Sequence, residues 1–366
     1  MPTTLLVEPD LTGHRFQAVA HVALRAQESG DTVVLLTSSG AVTSDAFKVY
    51  LSDVPLEAVE VYDAIHPSTA AMLEGIVARC AEDEVATVVV MDADQSLKRW
   101  WRLAPRAFRR LERRPRVIFF LTRYPARVPL FDGTGWKLRI SKSLLSLVAI
   151  GTRTLDRVSG FAGREDMHKG WLVKRARDPA VCGSHSRDRA ALRAELGLPQ
   201  DRRLVGIFGL ISERKNARLV FESMQTGNID ADLLLAGSIE PEVTAWIDSL
   251  SPEDRKRVLT FNGFLDNSLL DRLIAAVDVA PIALTNNGPS GIMGKALAAE
   301  VPVISAGSRV RARELLATDG GELAELEPAS LAAAIRRVFD RPPDAPRRNT
   351  VPPATPEEFA AVVLGR

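Results

Sequence analysis

Two adjacent cations give the clearest chemical signal in the sequence. Arg214 and Lys215 follow the apolar run 204–209 and directly precede an amphipathic run that starts at Asn216. They are therefore expected between a strand and a helix, where the N–H groups of the first helical turn already favour an anion. Because arginine can bind two phosphate oxygens at once, the pair predicts a diphosphate site; a solvated basic pair on a surface helix is the alternative.

A loop of small residues precedes a second helix-like run. Gly288, Ser290, Gly291 and Gly294 are spaced so that several backbone amides could face an anion, and Ser290 is a candidate N-cap. This loop therefore predicts a second anion-binding element.

Lys295 follows that loop, at a place where the helix should begin to pack. Three roles are open for its ammonium: a bond to a hydroxyl or phosphate of a ligand, an ion pair with Glu300, or solvation. A spacing of five residues is poor for a pair on one helix face. We favour the ligand contact.

The first predicted strand is followed by Gly13, His14 and Arg15. A glycine at this turn lets the backbone approach a ligand closely. A single glycine is not a dinucleotide-binding fingerprint and is a weak signal by itself, so an ordinary turn is the alternative.

Carboxylates follow another predicted strand, 86–92. Asp92 and Asp94 are candidates for a base that accepts a proton from a substrate hydroxyl, and His14 is a comparable candidate. Arg123 follows the next predicted strand, 116–122. A helix N-cap followed by a turn explains the two aspartates slightly better.

A basic segment, 98–116, contains nine Lys or Arg residues and one Glu, with Trp100, Trp101 and Phe108 among them. This composition is typical of contact with an anionic membrane surface or an anionic acceptor. Nothing else in the sequence supports nucleic-acid binding. A solvated helix face with packed tryptophans is the competing interpretation.

The composition sets the broad class of protein. The chain has 366 residues, a formal net charge of +1, and 46% hydrophobic residues, which favours two soluble domains without a polyanionic partner. Cys80 and Cys182 have no metal-type spacing and make no disulfide framework, so we expect a reducing compartment and no metal. Neither a signal peptide nor a run of ~18 apolar residues is evident, which predicts a cytoplasmic protein.

Apolar β-branched runs alternate with amphipathic runs along the chain. Continuous apolar strands between helices predict parallel sheets covered on both faces, and thus an α/β protein with two facing Rossmann-like doubly wound domains. The expected domains are 1–175, 176–340 and a proline-rich strap with a final helix, 341–366. The expected strands are 4–7, 32–37, 58–62, 86–92, 116–122, 145–152, 204–209, 231–237, 258–263, 278–284 and 301–305.

The sequence resembles the glycosyltransferases of the GT-B type, specifically the large retaining group called glycosyltransferase family four. The resemblance is firmest over 192–340, in "GIFGLISERKN", "LLLAG", "FNGFLDN" and "KALAAEVPVIS", and includes "GHRFQAVAHVALRAQESGDTVVLLT" near the N-terminus. It implies the GT-B fold and a hexosyltransferase-type, retaining transfer of sugar. The donor would be a nucleoside-diphosphate sugar on the C-terminal domain. The acceptor would be a small molecule, lipid or glycan on the N-terminal one, with no metal and no other cofactor.

The resemblance also implies roles for individual residues. Arg214 and Lys215 match the basic pair that binds the donor diphosphate and stabilises it as it departs. Asp92 and Arg123 lie on the acceptor side, and His14 and Asp94 are the further catalytic candidates. The expected donor-binding residues are Gly13, Gly209, Ser238, Phe264, Leu265, Gly288, Pro289, Ser290, Gly291, Ile292, Met293 and Lys295.

One departure concerns the ribose site. Most members of the family carry two glutamates separated by seven residues, and Asn287 and Lys295 occupy those positions here, with Glu300 where a glycine is usual. The carboxylate that would bind the ribose is therefore absent. Two other functions stay open: a sugar-nucleotide epimerase of the same fold, and a catalytically silent protein that partners an active enzyme.

Overall fold

The computed structural model describes residues 1–11, 13–125, 127–128, 130–285, 290–342 and 354–366; the side chains of 13 and 14 are outside this description. The chain forms two compact units. The first unit comprises Met1–Ala162, Asp166–Pro179 and Ala354–Arg366, and the second comprises Gly163–Glu165 and Ala180–Pro353.

The first unit contains one parallel sheet of seven strands. Its order is β3-β2-β1-β4-β5-β6-β7, so the direction of strand addition reverses between β1 and β4. Such a reversal opens a crevice at the carboxyl ends of the strands. The strands are β1 (Thr3–Val7), β2 (Thr32–Ser38), β3 (Glu57–Tyr62), β4 (Val85–Val90), β5 (Arg116–Leu121), β6 (Arg157–Ala162) and β7 (Val173–Arg177).

Helices cover both faces of this sheet. Ser68 caps α3, because its Oγ accepts a hydrogen bond from the amide of Ala71 at 3.2 Å. Helices α3, α4 and α5 share one core with the sheet, and α1 and α2 share the core on the other face. The helices are α1 (Gly13–Glu28), α2 (Asp45–Tyr50), α3 (Thr69–Glu82), α4 (Leu97–Phe108) and α5 (Gly133–Gly151).

The strand predicted over 145–152 is wrong. These residues form the C-terminal half of α5, and the sixth and seventh strands are β6 and β7, which the sequence analysis did not identify. The run looked like a buried strand because it is almost continuously apolar. An apolar run of this length cannot be assigned to strand or helix from periodicity alone.

The second unit repeats the strand order. Strands β10-β9-β8 and β11-β12-β13 form two parallel groups, and a parallel bridge between Val205 and Val279 joins them. Strand addition therefore reverses between β8 and β11. The strands are β8 (Arg203–Phe208), β9 (Ala231–Gly237), β10 (Val258–Asn262), β11 (Ala280–Ala283), β12 (Val303–Ala306) and β13 (Gly321–Ala324).

Helices again lie on both faces. Helices α7, α8 and α13 share one core with this sheet, while α6, α10 and α11 share the other. The helices are α6 (Arg189–Leu196), α7 (Ala217–Thr226), α8 (Pro241–Asp248), α9 (Pro252–Lys256), α10 (Asn267–Ala276), α11 (Gly291–Ala298), α12 (Arg309–Thr318) and α13 (Pro328–Asp340). None of the helices in the described part of the chain is long and apolar enough to span a membrane.

The last helix, α14 (Pro356–Leu364), belongs to the first unit rather than to a separate C-terminal piece. Phe359 and Val363 are fully buried beside α1, and the Arg157 Nε donates to the carbonyl of Val362 at 3.0 Å. The predicted proline-rich strap falls mostly on 343–353, outside the described residues.

Candidate functional site

Three glycines end neighbouring strands of the second unit. Gly209, Gly237 and Gly263 lie at the carboxyl ends of β8, β9 and β10, with φ of 85°, 133° and 138°. Glycine adopts these conformations at little steric cost. The amide of Gly209 donates to the carbonyl of Ala236 at 2.8 Å, and that of Gly263 donates to Gly237 at 3.1 Å. The three strand ends therefore form a continuous edge that carries no side chain at these positions.

Gly237 also allows a close approach of two backbones. A Cβ at position 237 would lie 2.1 Å from the carbonyl oxygen of Gly209, whereas a Cβ at Gly263 would meet nothing within 4 Å. The sequence therefore needs glycine at 237 for two reasons, conformation and space, but at 263 only for conformation.

The predicted cation pair lies at this edge. Arg214 and Lys215 belong to a short 3-10 helix after β8, and the Lys215 ammonium donates to the carbonyl of Phe208 at the strand end. Burial, with the nearby Arg214 charge, lowers the pKa of Lys215 to about 8. The Arg214 side chain is exposed, and neither cation has a carboxylate partner among the described residues. The two side chains therefore place positive charge at this edge that forms no ion pair among the described residues.

Asn216 fixes that turn to the next strand. It adopts a left-handed conformation, with φ of 53°, and its Nδ2 donates to the carbonyl of Ala283 at the end of β11 at 2.6 Å. The cation pair is thereby held between β8 and β11, where the direction of strand addition reverses. Ligands of open α/β sheets bind in this crevice.

The predicted loop leads into α11. Ser290 caps the helix as predicted, since its Oγ accepts from the amide of Met293 at 3.3 Å. The side chains of Ile292 and Met293 are buried in the core, so only their backbone is placed to meet a ligand. Gly291 is the first residue of α11. The predicted donor residues Gly288 and Pro289, and Asn287, lie outside the described residues.

Lys295 has a partner that the sequence analysis did not consider. Its buried ammonium donates to Asp271 Oδ1 at 2.6 Å and to the carbonyl of Val181 at 3.1 Å. The other oxygen of Asp271 accepts from the amide of Gly183 at 2.7 Å. We therefore replace the expected ligand contact with a structural role, in which the ion pair attaches the segment around 181–183 to α10 and α11.

Glu300 is likewise not the partner of Lys295. Its carboxylate lies 3.3 Å from the Nε2 of His185, and its backbone has a φ of 57°. A side chain adds strain in this left-handed conformation, which fits the glycine that the family resemblance implies for this position.

Glycine is needed at position 294 for packing rather than to expose a backbone amide. A Cβ at Gly294 would lie 1.8 Å from a guanidinium nitrogen of Arg164, which is buried and pairs with Glu314 at 2.6 Å. The absent side chain makes room for this arginine against α11. Arg164 belongs to the short segment that clusters with the second unit, and the sequence analysis gave no signal for it.

The residues predicted to meet the nucleotide base lie beyond the same edge. Ser238 is exposed, and its carbonyl accepts from the amide of Ile211 at 2.8 Å. Phe264, directly after Gly263, has 45% of its surface exposed, whereas Leu265 packs against the core beside α10. Their roles in binding stay predictions.

In the first unit, Asp94 makes too many contacts to be a base. Its carboxylate accepts from the Lys142 ammonium, from the amides of Thr122 at 2.8 Å and Arg123 at 3.0 Å, and from the Thr122 hydroxyl. Burial would raise the pKa of Asp94, but the Lys142 charge and these hydrogen bonds outweigh it and lower the pKa. A carboxylate so stabilised is a weak proton acceptor, which corrects the catalytic role expected for it.

Asp92 and Arg15 form the other polar contact of this edge. The guanidinium of Arg15 lies 2.7 Å from Asp92, which is also 3.0 Å from the Thr122 hydroxyl. The side chain of Arg123 is exposed, and its backbone carbonyl accepts from Lys142 at 2.7 Å. The structure thus brings Asp92 and Asp94 together through Thr122.

Glu8 is a functional candidate that the sequence analysis missed. It directly follows β1 at the reversal of strand order and is 1% exposed. Burial raises the pKa of Glu8 to about 8, although the Arg15 charge lowers it. Glu8 Oε2 and a guanidinium nitrogen of Arg15, 3.9 Å apart, are both buried and have no hydrogen-bond partner among the described residues. Its position after an apolar strand was the available signal, but burial is visible only in the fold.

Two predicted residues cannot be placed in detail. Gly13, predicted at the turn after the first strand, is the first residue of α1. The side chain of His14 lies outside the described residues. Within the described ranges, no three residues of His, Cys, Asp or Glu are grouped so that they could hold a metal ion.

The family comparison concerns the second unit. Residues 202–341, which include the three glycines and the cation pair, match the family described as glycosyl transferases group 1. This segment therefore resembles a glycosyl transferases group 1 domain. The match confirms the glycosyltransferase resemblance, whereas membership of family four is a narrower assignment. No protein in a search of curated sequences matches the chain.

Solved structures extend the likeness of the group 1 domain to the whole chain. Sucrose-phosphate synthase from Thermosynechococcus elongatus is 14% identical, with a TM-score of 0.62 over 100% of this chain and 94% of that chain. HepE of Anabaena, in complex with UDP-glucose, is 16% identical, with a TM-score of 0.65 over 99% and 95% of the two chains. The predicted GT-B fold, with two Rossmann-like domains, is thereby confirmed.

One similar structure is that of an epimerase rather than of a glycosyltransferase. The UDP-GlcNAc 2-epimerase of Methanocaldococcus jannaschii, in complex with UDP-GlcNAc and UDP, is 11% identical, with a TM-score of 0.56 over 100% of this chain and 99% of that chain. At such identities the likeness shows the fold alone. The function is therefore inferred from the group 1 match and from the geometry of the site.

Proposed function

We propose that this protein transfers a sugar from a nucleoside-diphosphate sugar, whose diphosphate binds Arg214 and Lys215. The observation that carries the proposal is the carboxyl edge of the second unit, where these two cations lack a carboxylate partner among the described residues. The neighbouring strand ends are glycines, which leave space for a ligand to approach the backbone.

The cations at this edge would stabilise the nucleoside diphosphate as the leaving group. As the bond from sugar to phosphate breaks, negative charge grows on the diphosphate, and a fixed cation pair stabilises it without reorganisation. Lys215 suits this task because burial has removed it from bulk water. Retention of configuration is proposed from the resemblance to a retaining group.

The acceptor is proposed to bind the first unit through a hydroxyl group. The polar side chains at the reversal of strand order, Asp92, Arg15 and Glu8, offer both donors and acceptors of hydrogen bonds. Asp94 has a positioning role, because its contacts hold Lys142 and the turn after β5 together. Transfer is proposed to need no metal, and activity that survives EDTA would support this.

The direct test is nucleotide binding by calorimetry. Because a solved relative contains UDP-glucose, UDP is tested first, followed by GDP, ADP, CDP and TDP. Arg214→Ala and Lys215→Ala should each weaken binding by roughly 10–100-fold, as expected for a charge-assisted hydrogen bond. Lys256→Ala is the matched control, because Lys256 is exposed and precedes β10 at the amino edge of the sheet.

Proton uptake makes this test specific to Lys215. Its pKa of about 8 means that the free protein loses the ammonium charge as pH rises through this value, so affinity for diphosphate should fall there. A bound diphosphate favours the charged form, and binding at pH 8.5 should therefore take up a fraction of a proton. Lys215→Arg should bind without uptake, and equal uptake by both proteins would contradict the assignment.

Product analysis separates the three functions. Incubation with the donor and a panel of hydroxyl acceptors should release nucleoside diphosphate and form a glycoside, whose anomeric configuration is read by NMR. Conversion of the donor to an epimer would instead establish the epimerase. Absence of stabilisation by every nucleotide would favour a silent protein, because a bound ligand must raise stability.

A further inference from the structure

Helix α5 buries polar residues against the first unit and exposes several apolar ones. The residues that it buries against the first unit include Lys142, Ser146 and Ala149. Ordinary surface helices bury an apolar stripe and expose the polar one. The Lys142–Asp94 ion pair makes this burial tolerable, because it satisfies the charge that α5 buries.

The exposed side of α5 is an apolar stripe. Ile140 and Leu144 are each 59% exposed, Leu147 is 45% exposed and Val148 is 36% exposed. Their spacing places all four on one helix face, opposite the buried residues. Leu130 and Phe131, just before the helix, are 84% and 98% exposed. Single exposed apolar residues are normal, but a contiguous set marks a surface that contacts something.

The neighbouring helix is strongly cationic. Between residues 97 and 111 the sequence has six basic residues and no acidic residue, and all six basic residues are exposed. Helix α4 packs beside α5 on the same face of the sheet. No ion pair neutralises these six side chains within the described part of the chain. The residues of this cationic row are Lys98, Arg99, Arg102, Arg106, Arg109 and Arg110.

We propose that the apolar stripe of α5 and the cationic row of α4 together dock the first unit on the surface of an anionic lipid bilayer. Apolar side chains that enter the boundary between headgroups and acyl chains add to electrostatic attraction by lipid phosphates. The arrangement fits both apolar insertion and electrostatic attraction. Helix α5 contains no acidic residue from 133 to 151 that the anionic surface would repel.

The charges argue against a second copy of this chain as the occupant. In a symmetric dimer each partner would bring the same cationic row beside the same stripe, and like charges across an interface oppose association. An anionic lipid surface instead supplies the complementary charge. This surface is independent of donor binding, so its test does not depend on the proposed transferase activity.

The test is sedimentation of the intact protein with vesicles. Phosphatidylcholine vesicles with 30% phosphatidylglycerol should bind the protein, and vesicles of phosphatidylcholine alone should bind it at least about tenfold more weakly. Leu144→Ser with Leu147→Ser should weaken binding to the anionic vesicles at least about tenfold. Arg102→Gln with Arg106→Gln should weaken it by a similar factor.

Matched variants in the second unit control for surface composition. Leu316→Ser removes an apolar side chain that is 71% exposed, and Arg218→Gln with Lys256→Gln removes two exposed charges. Both controls should bind like the unaltered protein, and thermal melting should show that every variant is folded.

Three results would overturn the proposal. They are equal binding to neutral and anionic vesicles, equal losses in the test and control variants, and no sedimentation of the unaltered protein with anionic vesicles. A dimer in analytical ultracentrifugation that Leu144→Ser with Leu147→Ser dissociates, without vesicle binding, would assign the stripe to a second copy instead.

Discussion

In the first unit, Glu8 and Asp92 follow the strands at the reversal of strand order, whereas in the second unit that position carries Arg214 and Lys215. The first edge is crowded with ion pairs, and the second is bordered by glycines with unpaired cations among the described residues. The same topology therefore supports opposite chemistry, and the residues just beyond the strand ends decide which ligand an edge can accept.

Burial acts on both edges in the same physical way. It raises the pKa of Glu8 to about 8 and lowers that of Lys215 to about 8, because a low-dielectric site disfavours either charge. The consequences differ, since Glu8 becomes a neutral hydrogen-bonding group below that pH, while Lys215 keeps its charge there. At neutral pH the first edge is suited to a hydroxyl compound and the second to an anion.

The largest effect is expected where the second edge depends on glycine. Gly237→Ala would place a Cβ 2.1 Å from the Gly209 carbonyl in a strained conformation, and should cost about 4 kcal/mol or more. Gly263→Ala has a similar φ but open space, and should cost about 2 kcal/mol. Chemical denaturation measures both. Equal losses would show that conformation alone sets the requirement for glycine.

A smaller effect is expected at the ion pair of the first edge. Asp94→Asn would leave the Lys142 ammonium buried without a counterion, at a cost of about 3 kcal/mol in the free energy of unfolding. The double variant with Lys142→Met should lose less than the two single variants added together. Additive losses would show that Asp94 and Lys142 do not stabilise each other. A loss of turnover in a fully stable Asp94→Asn protein would support a catalytic role for Asp94.

The smallest effect concerns the pH dependence of stability. Because the folded pKa of Glu8 lies above its ordinary value, its contribution is fully present at low pH and is lost as pH rises through about 8. Relative to Glu8→Gln, the unaltered protein should lose about 2 kcal/mol between pH 6 and pH 8. Glu74→Gln serves as the control, because the side chain of Glu74 is exposed. A constant difference between the Glu8→Gln and unaltered proteins would mean that Glu8 is ionised throughout.

Local features were predictable from sequence. The alternation of apolar and amphipathic runs predicts the doubly wound units, and Ser290 was identified as a helix cap because a cap acts on residues only three positions away. Gly209 was expected at a strand end for the same reason. Each of these depends on neighbours in the sequence.

Features that depend on distant partners were not predictable. Lys295 pairs with Asp271, which is 24 positions away, and Arg164 pairs with Glu314, which is 150 positions away. The burial of Glu8 likewise follows only from the packed sheet. The error over 145–152 has the same origin, because an apolar stripe that faces outward reads in sequence like one that faces inward.

Helix α14 has a consequence for the order of folding. Its residues follow the whole second unit in the chain but complete the core of the first, where Phe359 and Val363 are fully buried. During synthesis the second unit therefore has its full sequence before the first unit does, although domains generally fold from the N-terminus onward. The ribosome should release a chain in which the second unit is already formed and the first unit completes its core last.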